Sequence, residues 1–303
     1  MARKANALYF NELATIRQKD VVLGGHLYAL EFEDDPFTRL MICRDGVKWN
    51  HLGDIDWIVS SIVAYTHSDG TGVAVGLCRH GELLFIENAG PRTESFRADP
   101  GFLFQLCRVD DMLFACGSQR QVWCRKGGRW DRVDAGIVVP RSDEDNPVFY
   151  AIDGVSGPCL YAGGRGGELF RFDGRRWIRL DSPTNRDIER IVVVSKTEVY
   201  FCGKGGTFYR GHDDEWEMIG DPGFQETLWG LARFRGRIFA ASLNQLFAYS
   251  DLGLERIDPP PQEEFSYHRI AASSEYLWAT GGAGTVARWN GSDWALFLCP
   301  DNR

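Results

Sequence analysis

The sequence predicts an all-β protein in which one four-stranded antiparallel unit recurs seven times and closes on itself. Three observations carry this expectation. A strand, glycine-turn, strand motif recurs along the chain. Its last-strand anchor returns about every 41 residues, within the ~40–45-residue period of closed arrays of four-stranded units. The composition is that of short strands and tight turns: 34 of 303 residues are glycine and 10 are tryptophan.

The clearest copies run from Leu160 to Leu180, Val199 to Ile219 and Leu277 to Phe297. Weaker copies run from Met112 to Val133, Ile238 to Ile257, Val73 to Phe96 and Leu27 to Leu52. Asp45–Gly46, Asp173–Gly174 and Asn290–Gly291 read as hairpin turns, because these pairs tolerate positive φ. Upstream apolar stretches at 58–64, 191–194, 228–232 and 269–272 supply a fourth, innermost strand. The last-strand anchors are Trp49, Phe96, Trp130, Trp177, Trp216, Leu254 and Trp294. A chain of this length would ordinarily hold two domains, but anchors spread over residues 1–303 predict one ring. Residues 1–20 are either an extra strand or a lead-in, and Asp34-Asp35-Pro36 interrupts the first unit.

Gly163–Gly164 followed by Phe172 and Trp177, and Gly281–Gly282 followed by Trp289 and Trp294, give the chain its resemblance to a known superfamily. A glycine pair, an aromatic and a tryptophan in this order resemble the kelch-like repeats of the β-propellers. The period is also that of WD-like propellers, without their Gly-His and Trp-Asp marks. The resemblance implies a seven-bladed β-propeller of four-stranded antiparallel blades. With strands lettered A to D outward from the axis, it places the B-to-C turns and D-to-A loops on one face.

That placement turns scattered residues into rings. The B-to-C turns carry Arg79 and His80, Arg120, Arg165, Lys204, Asn244 and Ala283. Arg79, Arg120, Arg165 and Lys204 are expected to form an electropositive collar suited to a carboxylate, a phosphate or acidic protein side chains. The D-to-A loops are acidic, with Asp143, Glu144 and Asp145, then Asp181, Asp187 and Glu189, Asp221 and Glu226, and Asp258, Glu263 and Glu264. Trp57, Phe102, Phe224, Trp229, Phe265 and Tyr267 lie beside these acids, an arrangement expected of a protein-binding rim. Recurrent Trp130, Trp177, Trp216 and Trp294, and the small column Cys116, Gly163, Cys202, Ala241 and Thr280, fit blade-to-blade packing.

The net charge is −8, which disfavours nucleic acid and favours a protein partner with a basic surface. No apolar run approaches the ~18 residues of a membrane helix. Met1 to Phe10 lacks the apolar core of a secretory signal, and the eight cysteines lie mostly in apolar runs. A cytoplasmic, reduced and monomeric protein is therefore expected. There is no CxxC pair and no histidine pair at ligand spacing, so neither metal nor cofactor is expected. Gly154 to Pro158 is not a nucleophile elbow, and Gly163 to Gly167 leads into a strand rather than a helix. No catalytic residue is assigned. The leading expectation is a non-catalytic module that binds a protein on the D-to-A face. Its narrower form is a bacterial immunity protein capturing a basic toxin by electrostatic steering. The alternative is an enzyme or sensor that holds an anionic small ligand or glycan in the central channel. A scaffold within a larger assembly is the third possibility.

Overall fold

The computed structural model of the chain describes residues 7–30, 36–87, 89–99, 101–142, 146–262 and 265–303. Among these residues the strands make seven four-stranded sheets, each an antiparallel meander in chain order. The blades cover 8–55, 59–95, 103–132, 149–179, 188–218, 230–257 and 269–298, and the other elements are short 3-10 turns. The innermost strands are Leu8–Arg17, Val59–Thr66, Leu103–Val109, Phe149–Ser156, Ile188–Ser195, Gly230–Phe234 and Arg269–Ala272. Each packs on the innermost strands of the adjacent blades, and the last packs on the first, so all seven surround one axis. The protein is a seven-bladed β-propeller.

Each blade is sandwiched between two others, so both faces of its inner strands are apolar. Seven hydrophobic clusters among the described residues straddle the seven blade junctions. One joins Phe114 and Val122 of blade 3 to Phe149 and Leu160 of blade 4. Another closes the ring, joining Leu8, Phe10 and Met41 of blade 1 to Trp278 and Val286 of blade 7. The tryptophan anchors stand at the start of the outermost strands, and two of them bond the preceding blade. Trp177 Nε1 donates to the Val133 carbonyl at 2.7 Å, and Trp294 Nε1 donates to that of Asp258 at 2.9 Å. The small column sits on strand B, where Cys116, Gly163, Cys202, Ala241 and Thr280 pair with Gln105, Ala151, Arg190, Gly230 and Arg269. All eight cysteines are unpaired, and burial pushes the Cys78 and Cys299 thiols up to about 11.

Two assignments made from the repeat are corrected. In blade 1 strand B is Asp20–Leu27, so the copy read from Leu27 starts too late, and strand A is Leu8–Arg17. Of the two expectations for this segment the strand holds: Leu8–Arg17 is the inner strand of blade 1. Its B-to-C connection includes a 3-10 turn over Tyr28–Leu30 in place of a tight glycine turn, and Asp34–Asp35 lie outside the described residues. In blade 2 the outermost strand is Gly90–Ser95, so Pro91 holds the anchor position and Phe96 lies past the strand end. Phe96 still stacks on Trp130, with ring centroids 4.3 Å apart, and so packs like an anchor from the opposite end.

Candidate functional site: the upper face and the axial channel

The B-to-C turns and D-to-A loops are stitched together on one face, termed upper here. Leu103 N–H donates to Arg79 O at 2.8 Å, Ser118 N–H to Phe102 O at 2.8 Å, Arg165 N–H to Val148 O at 2.9 Å and Lys204 N–H to Asp187 O at 3.0 Å.

The inner strands carry a repeated irregularity just below this face. The strand A–strand B register slips by one residue at Asn11, Ser60, Phe104, Tyr150 and Glu189. These are β-bulges at equivalent positions, and a bulge re-aims the extra side chain. Trp229, just before strand A of blade 6, occupies the matching place, with its N–H bonded to Ala241 O at 2.8 Å. All six side chains line the upper chamber of the axial channel, a cavity of about 170 Å³. The next residues, Glu12, Arg190 and Arg269, form its floor and are shared with a lower chamber of about 420 Å³.

The electrostatics of this waist are uneven. Arg269 bonds Glu12, with Nη2 to Oε1 at 2.9 Å, and Glu12 is almost fully buried. Arg190 has no carboxylate within ion-pair distance among the described residues, and its Nη1 donates to the Glu189 main-chain carbonyl at 2.6 Å. Burial first, then the neighbouring Arg269 charge, pushes the Arg190 guanidinium down to about 10, so it stays protonated at neutral pH. Burial raises the Glu189 carboxyl above its ordinary value, although Arg190 opposes this. Burial lowers the His26 imidazole below its ordinary value, although a bond to the Phe37 backbone opposes this. Its Nε2 lies 2.9 Å from Asn11 Nδ2, and the buried Asn11 Oδ1 has no partner among the described residues.

The predicted collar is only partly assembled. Strand register places Arg79, Arg165 and Lys204 at one shared turn position. Arg120 falls two residues later, in the place of Gly167, with a positive φ of 59°. It turns sideways and forms a bidentate pair with Glu168 of blade 4, Nε to Oε2 at 2.9 Å. Lys204 pairs with Asp187, which also accepts from Gly166 N–H at 2.8 Å. Burial opposes ionisation of Asp187, but the Lys204 and Gly166 bonds outweigh it and hold its carboxyl below the usual range. Arg79 and Arg165 remain exposed, with no carboxylate of the described residues in ion-pair reach. Arg165 Nη1 donates to Asn146 O at 2.8 Å.

The aromatics divide in the same way. Phe102 is 43% exposed, and His80 meets its ring edge-on at 5.1 Å. The two line a groove of about 480 Å³ with Gln119, Arg141, Asn146 and Arg165, and Phe104 joins the groove to the channel mouth. Trp229 faces the channel. Trp57 and Phe224 pack against hydrophobic clusters, and Phe265 and Tyr267 are buried, so these four serve mainly the core. Asp143, Glu144 and Asp145 lie outside the described residues, as do Glu263 and Glu264. The channel residues Glu12, Arg190 and Arg269 were not singled out from the sequence. The available signal was a charge inside an apolar inner strand at the same offset in three blades.

No protein-family model matches the chain. Over 187 residues, 61% of this chain, it is 32% identical to Immune protein Tsi7 of Pseudomonas aeruginosa, and it covers 61% of that protein's length. Solved structures share the architecture. Virginiamycin B lyase from Staphylococcus aureus superposes with a TM-score of 0.64 at 13% identity, over 78% of this chain and 83% of that one. The WD40 β-propeller domain of Doa1 gives 0.67 at 11%, over 94% and 95%. Sqt1 from Saccharomyces cerevisiae gives 0.61 at 12%, over 98% and 87%. At such identities the likeness carries fold alone. Together with its own seven sheets, it places the chain among the seven-bladed β-propellers.

Proposed function

We propose that this protein is a bacterial immunity protein, a non-catalytic propeller that captures a protein toxin on its upper face. The observation that carries the reading is the 32% identity to an immunity protein over 187 residues. The upper face supplies what capture requires. Phe102 is an exposed aromatic anchor beside a groove of about 480 Å³. The acidic run Asp143-Glu144-Asp145 of the sequence and the net charge of −8 favour a toxin with a basic surface through faster encounter. Arg79 and Arg165 form the basic part of the rim and would meet acidic groups of the same partner. We place the encounter in the cytoplasm, where eight unpaired thiols are stable.

The test is capture by the tagged protein from its native host. One stoichiometric partner is expected, toxic when expressed alone and harmless when co-expressed with this protein. Phe102→Ala weakens that complex by ~10-fold or more, as loss of a central aromatic does. Replacing Asp143, Glu144 and Asp145 by serine slows association and flattens its dependence on salt. Absence of a stoichiometric partner, or of protection on co-expression, overturns the reading.

A further inference from the structure

We infer that the upper chamber of the axial channel is a binding site for a small polyhydroxylated carboxylate, of the sugar-acid class, held by Arg190. The inference stands independently of toxin capture and rests on four features of the chamber wall.

The wall is built rather than incidental. Five of its residues are delivered by bulges at equivalent positions of five inner strands. Bulges of this kind terminate regular pairing in order to aim a side chain, and they concentrate beside active sites. The wall is also electropositive in a protein of net charge −8. Three guanidiniums, Arg79, Arg190 and Arg269, face two carboxylates, Glu12 and Glu189. Glu12 is committed to Arg269, whereas Arg190 holds only a main-chain carbonyl among the described residues. A planar guanidinium enclosed in protein and short of a counter-charge matches a carboxylate or phosphate in bidentate geometry.

Two further features choose between these oxyanions. Beside the guanidiniums, the wall carries the uncharged polar side chains of Asn11, Ser60 and Tyr150, which suit hydroxyl groups. A ligand with several hydroxyls engages them together, which the one or two P–OH groups of inorganic phosphate do not. Trp229 and Phe104 add aromatic surface to the same wall, which suits the apolar face of a sugar ring. The volume, about 170 Å³, lies below the range of drug-sized pockets and fits a single small ligand.

The experiment is titration calorimetry and thermal shift on the full chain with glucuronate, inorganic phosphate and glucose. Saturable binding of glucuronate is expected, with phosphate weaker and glucose not binding. Arg190→Gln reduces glucuronate affinity ~10-fold or more. Trp229→Ala weakens glucuronate several-fold and leaves phosphate unchanged. Arg190→Gln alters a residue enclosed by the ring, so two milder variants decide the matter if it fails to fold. Arg79→Ala, at the exposed mouth, weakens glucuronate, and Glu189→Gln, which removes a competing carboxylate, tightens it. Phosphate binding more tightly than glucuronate refutes the ligand class. No saturable binding, or wild-type affinity in all the variants that fold, refutes the site.

Discussion

Asp153 lies on the inner strand of blade 4 and lines the lower chamber of the channel, where its Oδ2 accepts from Val193 N–H at 2.8 Å. Burial pushes its carboxyl up to about 6, against 3.8 ordinarily, despite the Val193 and Gly154 N–H bonds that favour the charged form. A carboxyl raised in the folded state binds its proton more tightly there than in the unfolded chain. Stability is therefore fully retained below about pH 4, falls as pH rises to about 6, and stays reduced above it. Asp153→Asn keeps an acceptor for Val193 and removes the buried charge. It is expected to stabilise the protein by about 2 kcal/mol at pH 8 and by little at pH 4. Urea midpoints at the two values check this, and an equal effect at both would refute it. Asp153, like Arg190, illustrates why the site was only partly legible. Asp153 is the one charge of an apolar strand and Arg190 adjoins Glu189 in another, and neither gains meaning until seven strands meet at the axis. The exposed candidates were visible because turns advertise themselves through glycine. Arg120 misled because its turn replaces two glycines, which hid the two-residue offset.

At the scale of the element, the B-to-C turn is the most repeated device in the molecule. In blades 4 and 5 it runs through Gly166–Gly167 and Gly205–Gly206, all with φ between 61° and 76°. Blade 7 uses Ala283 at φ 56° and then Gly284. An alanine there carries left-handed strain that glycine does not. Ala283→Gly is expected to stabilise the protein by about 0.5–1 kcal/mol, since the N–H bond from residue 283 to Tyr28 Oη survives the change. Chemical denaturation checks it; a loss of stability would mean that the turn is not strained. The same devices explain how much of the fold the sequence revealed. Trp130, Trp177, Trp216 and Trp294 each stand at the start of an outermost strand, so the period was readable. Blade 2 places Pro91 there, and the eye passes on to Phe96. Blade 1 has no tight glycine turn between strands B and C, so its inner strand stayed undecided between an extra strand and a lead-in.

The whole ring is closed without exchange of a strand. Blade 1 takes all four strands from 8–55 and blade 7 from 269–298, so side chains must join first to last. Asn302 does this most directly. Its Oδ1 accepts from Leu8 N–H at 3.1 Å and its Nδ2 donates to Leu8 O at 2.8 Å, completing the inner edge of blade 1. Thr15 Oγ1 donates to Ala272 O at 3.0 Å, Ser274 bonds Gln18, Arg269 bonds Glu12, and Arg39 pairs with Asp301 at 3.0 Å. Close packing adds to the seam: a Cβ on Gly46, at φ +73°, would lie 2.2 Å from the Phe297 ring. A seam of side chains is a place where a cooperative ring can open locally. Asn302→Ala leaves two main-chain groups of buried Leu8 unpaired, so a loss of about 1–3 kcal/mol is expected. The loss should be local in its signature. Amide exchange in Asn302→Ala should quicken in blades 1 and 7, on the two sides of the seam, while the inner strands of blades 3 to 5 keep their protection. Uniform acceleration around the ring would mean that the propeller opens all at once, and that the latch between residues 8 and 302 contributes no more than any other junction.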